Sequence, residues 1–154
     1  MKTMRKVVRL FFFTVMGTLM TVSQGLAEVS CHKINAKGVG QDLGGGMTTA
    51  RIIGGGLLQG TTAGNFIITD DTTPPVLLIA GTVEFTTNKA TLTVTVEGFF
   101  DVATGDFSTS GPVTDATGKL EEATGNLTLE GIQDLSTGEF VEDVKGLICV
   151  DLAP

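Results

Sequence analysis

Four copies of one short turn pattern constrain this chain more than any other feature of it. Ala/Ser-Thr-Gly-x-Phe/Leu occurs as Ala103-Thr104-Gly105-Asp106-Phe107, Ala116-Thr117-Gly118-Lys119-Leu120, Ala123-Thr124-Gly125-Asn126-Leu127 and Ser136-Thr137-Gly138-Glu139-Phe140. In each copy the glycine can take positive φ without a steric penalty, and a bulky apolar residue follows two positions later, where a strand would enter a core. Two copies sit inside a longer repeat, because Gly98 to Phe107 aligns with Gly131 to Phe140 at a constant offset of 33 residues. In both, an aspartate (Asp101, Asp134) opens the loop and can accept from a backbone N–H two residues on. Both segments are therefore predicted to be hairpins with a type I turn and a G1 bulge, their phenylalanines Phe107 and Phe140 pointing inward.

The remaining chain agrees with a fold made of short antiparallel strands. Ala90 to Phe100 alternates most clearly, with Leu92, Val94 and Val96 on one face and Thr91, Thr93, Thr95 and Glu97 on the other, as expected of a sheet with one wet face. Val76 to Thr86 is a strand that starts after the Pro74-Pro75 break, and Asn65 to Thr69 is one that ends before it. Met47 to Leu58 is a strand bent at Gly54-Gly55-Gly56, a triplet that lacks the Lys-Ser/Thr and helix of a phosphate loop. Val29 to Ala36 is expected as a short strand, and the glycine-rich Lys37 to Gly46, with five glycines, as a loop. Gly118 to Gly125 is expected as a brief strand between two turns, followed by strands Asn126 to Ile132 and Glu139 to Val150. In the last of these, Phe140, Val144, Ile148 and Val150 share a parity that would also turn Glu142 inward, so a bulge near Glu142-Asp143 is expected to return it to solvent. No amphipathic helix is predicted after Ala27. The expected fold is all-β, an antiparallel barrel of about eight strands, with a β-sandwich as the alternative.

Residues 1–27 have the make-up of a secretory signal: Lys2, Arg5, Lys6 and Arg9, then the apolar run Leu10 to Val22, then the small residues of Gly25-Leu26-Ala27. The run is shorter than the ~20 residues that span a bilayer, so cleavage near Ala27 and a secreted or periplasmic location are expected, with residues 28–154 forming one barrel domain. Cleavage removes four basic residues and no acidic ones, taking the formal charge from −7 to −11. So acidic a chain has no footprint for nucleic acid or anionic lipid and suits a cationic partner. Without Trp or Tyr it also lacks the aromatic girdles of an outer-membrane barrel, so membrane insertion of the mature chain is not expected. Oligomeric state stays open. Cys31 and Cys149 lie near the two ends, and in an oxidising compartment they are expected to pair, a closure that stabilises by ~3–5 kcal/mol in the chain-entropy model.

Catalytic chemistry is sparse. His32 is the only histidine, so a nucleophilic arrangement with Ser108, Ser110 or Ser136 has one base to draw on. Asp70, Asp71, Asp101, Asp106 and Asp134 fall in predicted turns and read as turn-forming residues, without calcium-loop spacing. No metal or other cofactor is expected. The sequon Asn126-Leu127-Thr128 is taken as incidental.

Gly118-Lys119-Leu120-Glu121-Glu122-Ala123-Thr124-Gly125 resembles the glycine-rich segment of the allene oxide cyclase and dirigent barrel superfamily, and the run from Gly98 to Cys149 looks like small exported bacterial proteins of that type. The resemblance implies an eight-stranded barrel with an apolar central cavity. No catalytic residue of that superfamily maps onto a position here, since the mature chain holds a single arginine, Arg51. Two functions are weighed. One is a non-enzymatic module binding an apolar small molecule in a cavity lined by some of Phe66, Phe85, Phe100, Phe107, Leu127 and Phe140. The other is an isomerase or cyclase relying on Glu84, Glu97 and Arg51, which survives only if those three face inward.

Overall fold

The computed structural model describes residues 28–151; the export segment expected over residues 1–27 lies outside them. Eight antiparallel strands close into one barrel in sequence order: β1 (Ser30–Gly44), β2 (Met47–Gly54), β3 (Gly60–Asp70), β4 (Val76–Thr86), β5 (Thr91–Asp101), β6 (Asp106–Ala116), β7 (Thr124–Gln133) and β8 (Glu139–Val150). β1 pairs with both β2 and β8, so no edge is left open and the sandwich alternative falls away. Cys31 and Cys149 face each other across the β1–β8 seam and are joined by a disulfide, stapling the first strand to the last. No α-helix occurs among the described residues.

Three expectations need correction. Lys37 to Gly46 is not a loop: β1 continues to Gly44 and pairs along both neighbours. At Gly38 and Gly40, side chains from β8, Glu142 and Phe140, occupy the space in front of the glycine. Gly118 to Gly125 is not a brief strand. Gly118–Leu120 forms a single 3₁₀ turn, and β7 begins only at Thr124. Finally, β8 carries no bulge at Glu142-Asp143, since its pairing to β1 and to β7 runs without a shift through both residues.

The interior divides into two ends. At one, Ile34, Ile52, Phe85, Leu92, Leu127 and Ile148 are fully buried in a continuous apolar cluster. The 3₁₀ turns Gly56–Leu58 and Gly118–Leu120 lie across this end and press Leu58 and Leu120 into it, each no more than 2 % exposed, so the barrel is plugged there. The other end is ringed by the hairpins β1–β2, β3–β4, β5–β6 and β7–β8. These lean on one another through Asp42 N–H to Gly138 O (2.8 Å), Gln133 N–H to Gly105 O (2.9 Å) and Val102 N–H to Pro75 O (3.0 Å).

The duplicated hairpins share the backbone bonds to their opening aspartates. Asp101 Oδ1 accepts from Ala103 N–H at 2.8 Å and Thr104 N–H at 3.2 Å, and Asp134 Oδ1 accepts from Ser136 N–H at 2.8 Å and Thr137 N–H at 3.3 Å. Gly105 and Gly138 close the turns at φ 83° and 77°, each donating back to the aspartate carbonyl. Outward positions of β4 and β5 toward the plugged end are polar (Thr82, Glu84, Thr93, Thr95). Near the mouth some are apolar, as where Val39, Val141 and Ile132 lie side by side across β1, β8 and β7.

Candidate functional site

A cavity of about 560 Å³ occupies the hairpin end of the barrel. Glycines create it. Inward positions near the mouth are held by Gly38, Gly40, Gly64, Gly81 and Gly131, and the room they leave is taken by a few large side chains from neighbouring strands. A Cβ on Gly131 would lie 2.6 Å from the Phe107 ring, one on Gly81 2.9 Å from Phe66, and one on Gly40 would run into the Phe140 ring. The rings of Phe107 and Phe140, the residues that follow the two matched turns, meet edge to face with centroids 5.8 Å apart.

Of the side chains expected to line a cavity, Phe66, Phe100, Phe107 and Phe140 do so. Phe85 and Leu127 belong instead to the packed cluster, because both lie nearer the plugged ends of their strands. Glu84, Glu97 and Arg51 all face solvent, which withdraws them as catalytic candidates. His32 sits beside the Cys31 staple on β1, whereas Ser136 is in the β7–β8 hairpin at the opposite end, so that pairing is not assembled. The turn aspartates act as backbone acceptors: Asp70 takes Thr72 N–H and Asp42 takes Gly44 N–H, both at 2.8 Å. Backbone and hydroxyl donation from Thr72 holds the Asp70 carboxyl below its ordinary range.

The group that reading the sequence placed outside is Glu142. It is 6 % exposed, lines the cavity, and lies over Gly38, where a Cβ would come within 2.6 Å of its Cγ and Oε1. No hydrogen-bond or ion-pair partner meets its carboxyl among the described residues. Burial alone pushes its pKa up to about 7. Thr62 and Thr109 are the other buried polar residues facing this space. Nearer the mouth, Gln133 Nε2 donates to Asp42 Oδ2 at 3.2 Å. On the outer face of the same strand, Lys37 pairs with Asp143 and holds that carboxyl low, so adjacent acidic residues of β8 sit in opposite electrostatic settings.

A wider depression of about 1340 Å³ lies at the plugged end, bordered by Arg51, Gln59, Lys89, Lys119, Glu122 and Asp151. All six are exposed, so it is a basin between connecting loops, whereas the mouth cavity enters the barrel itself. Fold and site together define an eight-stranded antiparallel barrel, plugged at one end and hollow at the other. Compared with protein-family models, curated proteins and solved structures, the chain gives no match.

Proposed function

We propose that this protein is an exported, non-enzymatic binding module that takes one apolar small molecule into the mouth cavity. The observation that carries the reading is a hollow walled by four phenylalanines and by Ile79, Val83 and Leu129, in a barrel whose other end is fully packed. Its volume falls within the range of about 300–1,000 Å³ usual for small-molecule sites. The resemblance to allene oxide cyclase and dirigent barrels supports the same use of the interior, and the signal-like residues 1–27 support export. With Glu84, Glu97 and Arg51 in solvent, the isomerase or cyclase alternative keeps no assigned catalytic group.

The test is a titration of the purified protein with Nile red, a neutral apolar dye whose emission shifts to the blue on leaving water. One-to-one binding is expected, and Thr109→Phe, which fills the cavity from β6, abolishes it while the protein stays folded by circular dichroism. Absence of dye binding to the parent protein, together with no apolar compound released on denaturation, overturns the reading.

A further inference from the structure

We infer that the cavity selects an apolar amine, whose ammonium group enters the barrel and pairs with the Glu142 carboxylate. The inference rests on the proposed binding function and adds the charge and orientation of the ligand. A carboxyl buried in an apolar wall is costly unless something meets it, and here no protein group does. Gly38, lacking a side chain, leaves the room in which Glu142 lies, so the carboxyl is accommodated by the strand beside it without being paired.

Every other charge near the mouth has the same sign. Asp70, Asp71, Asp101, Asp106, Asp134 and Glu139 stand on or beside the hairpins that ring it, and Asp42 lines the cavity itself. The described lysines and the arginine, Lys33, Lys37, Arg51, Lys89, Lys119 and Lys145, lie in none of the turns that join the strands at the mouth. An entrance of this kind draws cations inward and repels carboxylates such as fatty acids. The walls agree with that selection, because Phe66, Phe100, Phe107 and Phe140 present ring faces and edges to an alkyl chain and can favour a cation over a ring. The groups that face Glu142 are few. From β1 the one titratable side chain is Asp42; β7 offers Leu129 and Gln133; across the cavity β3, β4, β5 and β6 offer threonines, aliphatics and phenylalanines. No neighbouring base competes for the carboxylate.

Three probes of equal chain length separate the ideas: dodecylamine, dodecanol and dodecanoate, titrated calorimetrically below their aggregation concentrations. The amine is expected to bind tightest and the carboxylate weakest. Glu142→Gln lowers amine affinity by about tenfold or more, since a buried ion pair has lost one partner, and leaves dodecanol within about twofold. In the parent protein amine affinity rises about tenfold or more between about pH 5.5 and 8.5 as the carboxylate forms, while dodecanol affinity does not. If dodecanol binds as tightly as dodecylamine, and Glu142→Gln changes neither, the charge selection is wrong while the apolar cavity stands. If none of the three binds, both fall.

Discussion

On β4 the inward side chains run Phe85 and Val83 at one end and Gly81 and Ile79 at the other, and on β8 they run Ile148 and Val144, then Glu142 and Phe140. The same strands thus build two different interiors. At the plugged end the inward positions are mostly aliphatic or aromatic residues packed into one cluster, with Leu127 lying over Gly146, and the two 3₁₀ turns seal it with Leu58 and Leu120. At the mouth, glycines alternate with large residues, so the volume is gathered into one hollow instead of being shared out. A barrel of about eight strands can either fill with side chains or hold one small ligand, and this one does each at a different end. Stability is concentrated where packing is complete, and the unpaired Glu142 carboxyl is placed where packing is not.

The largest break in that comparison comes from removing one ring at each end. Phe85→Ala leaves a cavity in a closed cluster and is expected to cost about 3–5 kcal/mol. Phe66→Ala, at a half-buried ring that already borders open space, is expected to cost about 1–2 kcal/mol. Urea denaturation measures both. Equal losses would mean that the mouth is packed like the plugged end.

Glu142 sharpens the contrast through pH. The folded protein binds its proton more tightly than the unfolded chain, so folding is favoured while the carboxyl is protonated. Stability therefore falls as pH rises from the ordinary value of 4.5 toward about 7 and is level above that. The full loss is about 3 kcal/mol, counted as a span of two to three pKa units. Glu142→Gln is expected to abolish this slope and to be the more stable protein at alkaline pH, as denaturant midpoints across the range would reveal. A slope that persists in the variant assigns the titration elsewhere.

How far these two ends were legible before any coordinates follows from what each depends on. The alternation of Leu92, Val94 and Val96, and the Asp-to-Gly turns of the duplicated hairpins, are local, and the closed all-β barrel was read from them. The pairing of Cys31 with Cys149 followed from export and from their being the two cysteines present. The mouth is non-local. Gly38 and Gly40 look like loop residues until Glu142 and Phe140 are seen lying over them from a strand about one hundred positions away. The parity of β8 did turn Glu142 inward, and a bulge was expected only because an unpaired buried carboxylate is costly. In this barrel the unpaired buried carboxylate marks the site instead. β6 was hidden for a different reason: Gly111 and Pro112 interrupt its apolar pattern, and its pairing to β5 shifts nearby.

The smallest effects belong to the turns that hold the mouth open. Asp101 and Asp134 occupy equivalent places, but Asp134 has one more bond, from the Ser136 hydroxyl at 2.6 Å, where the first hairpin has Ala103. That hydroxyl, and then the Ser136 N–H, hold the Asp134 carboxyl below its ordinary range. A depressed carboxylate contributes stability that is present above its unfolded pKa and lost as pH falls through the folded one. Asp134→Ala is thus expected to lower the melting temperature by a few degrees at neutral pH, and by less as acid removes the interaction from the parent as well. Ser136→Ala, which removes the hydroxyl bond to Asp134, should reduce this pH dependence and leave the hairpin intact. Because both residues are solvent-exposed, raising the salt concentration weakens the ionic part of these bonds but not the turn itself. If Asp134→Ala instead abolishes Nile red binding along with a large fall in melting temperature, the hairpins are holding the cavity walls together. The division of labour between a packed end and a hollow one would then be less complete than their side chains indicate.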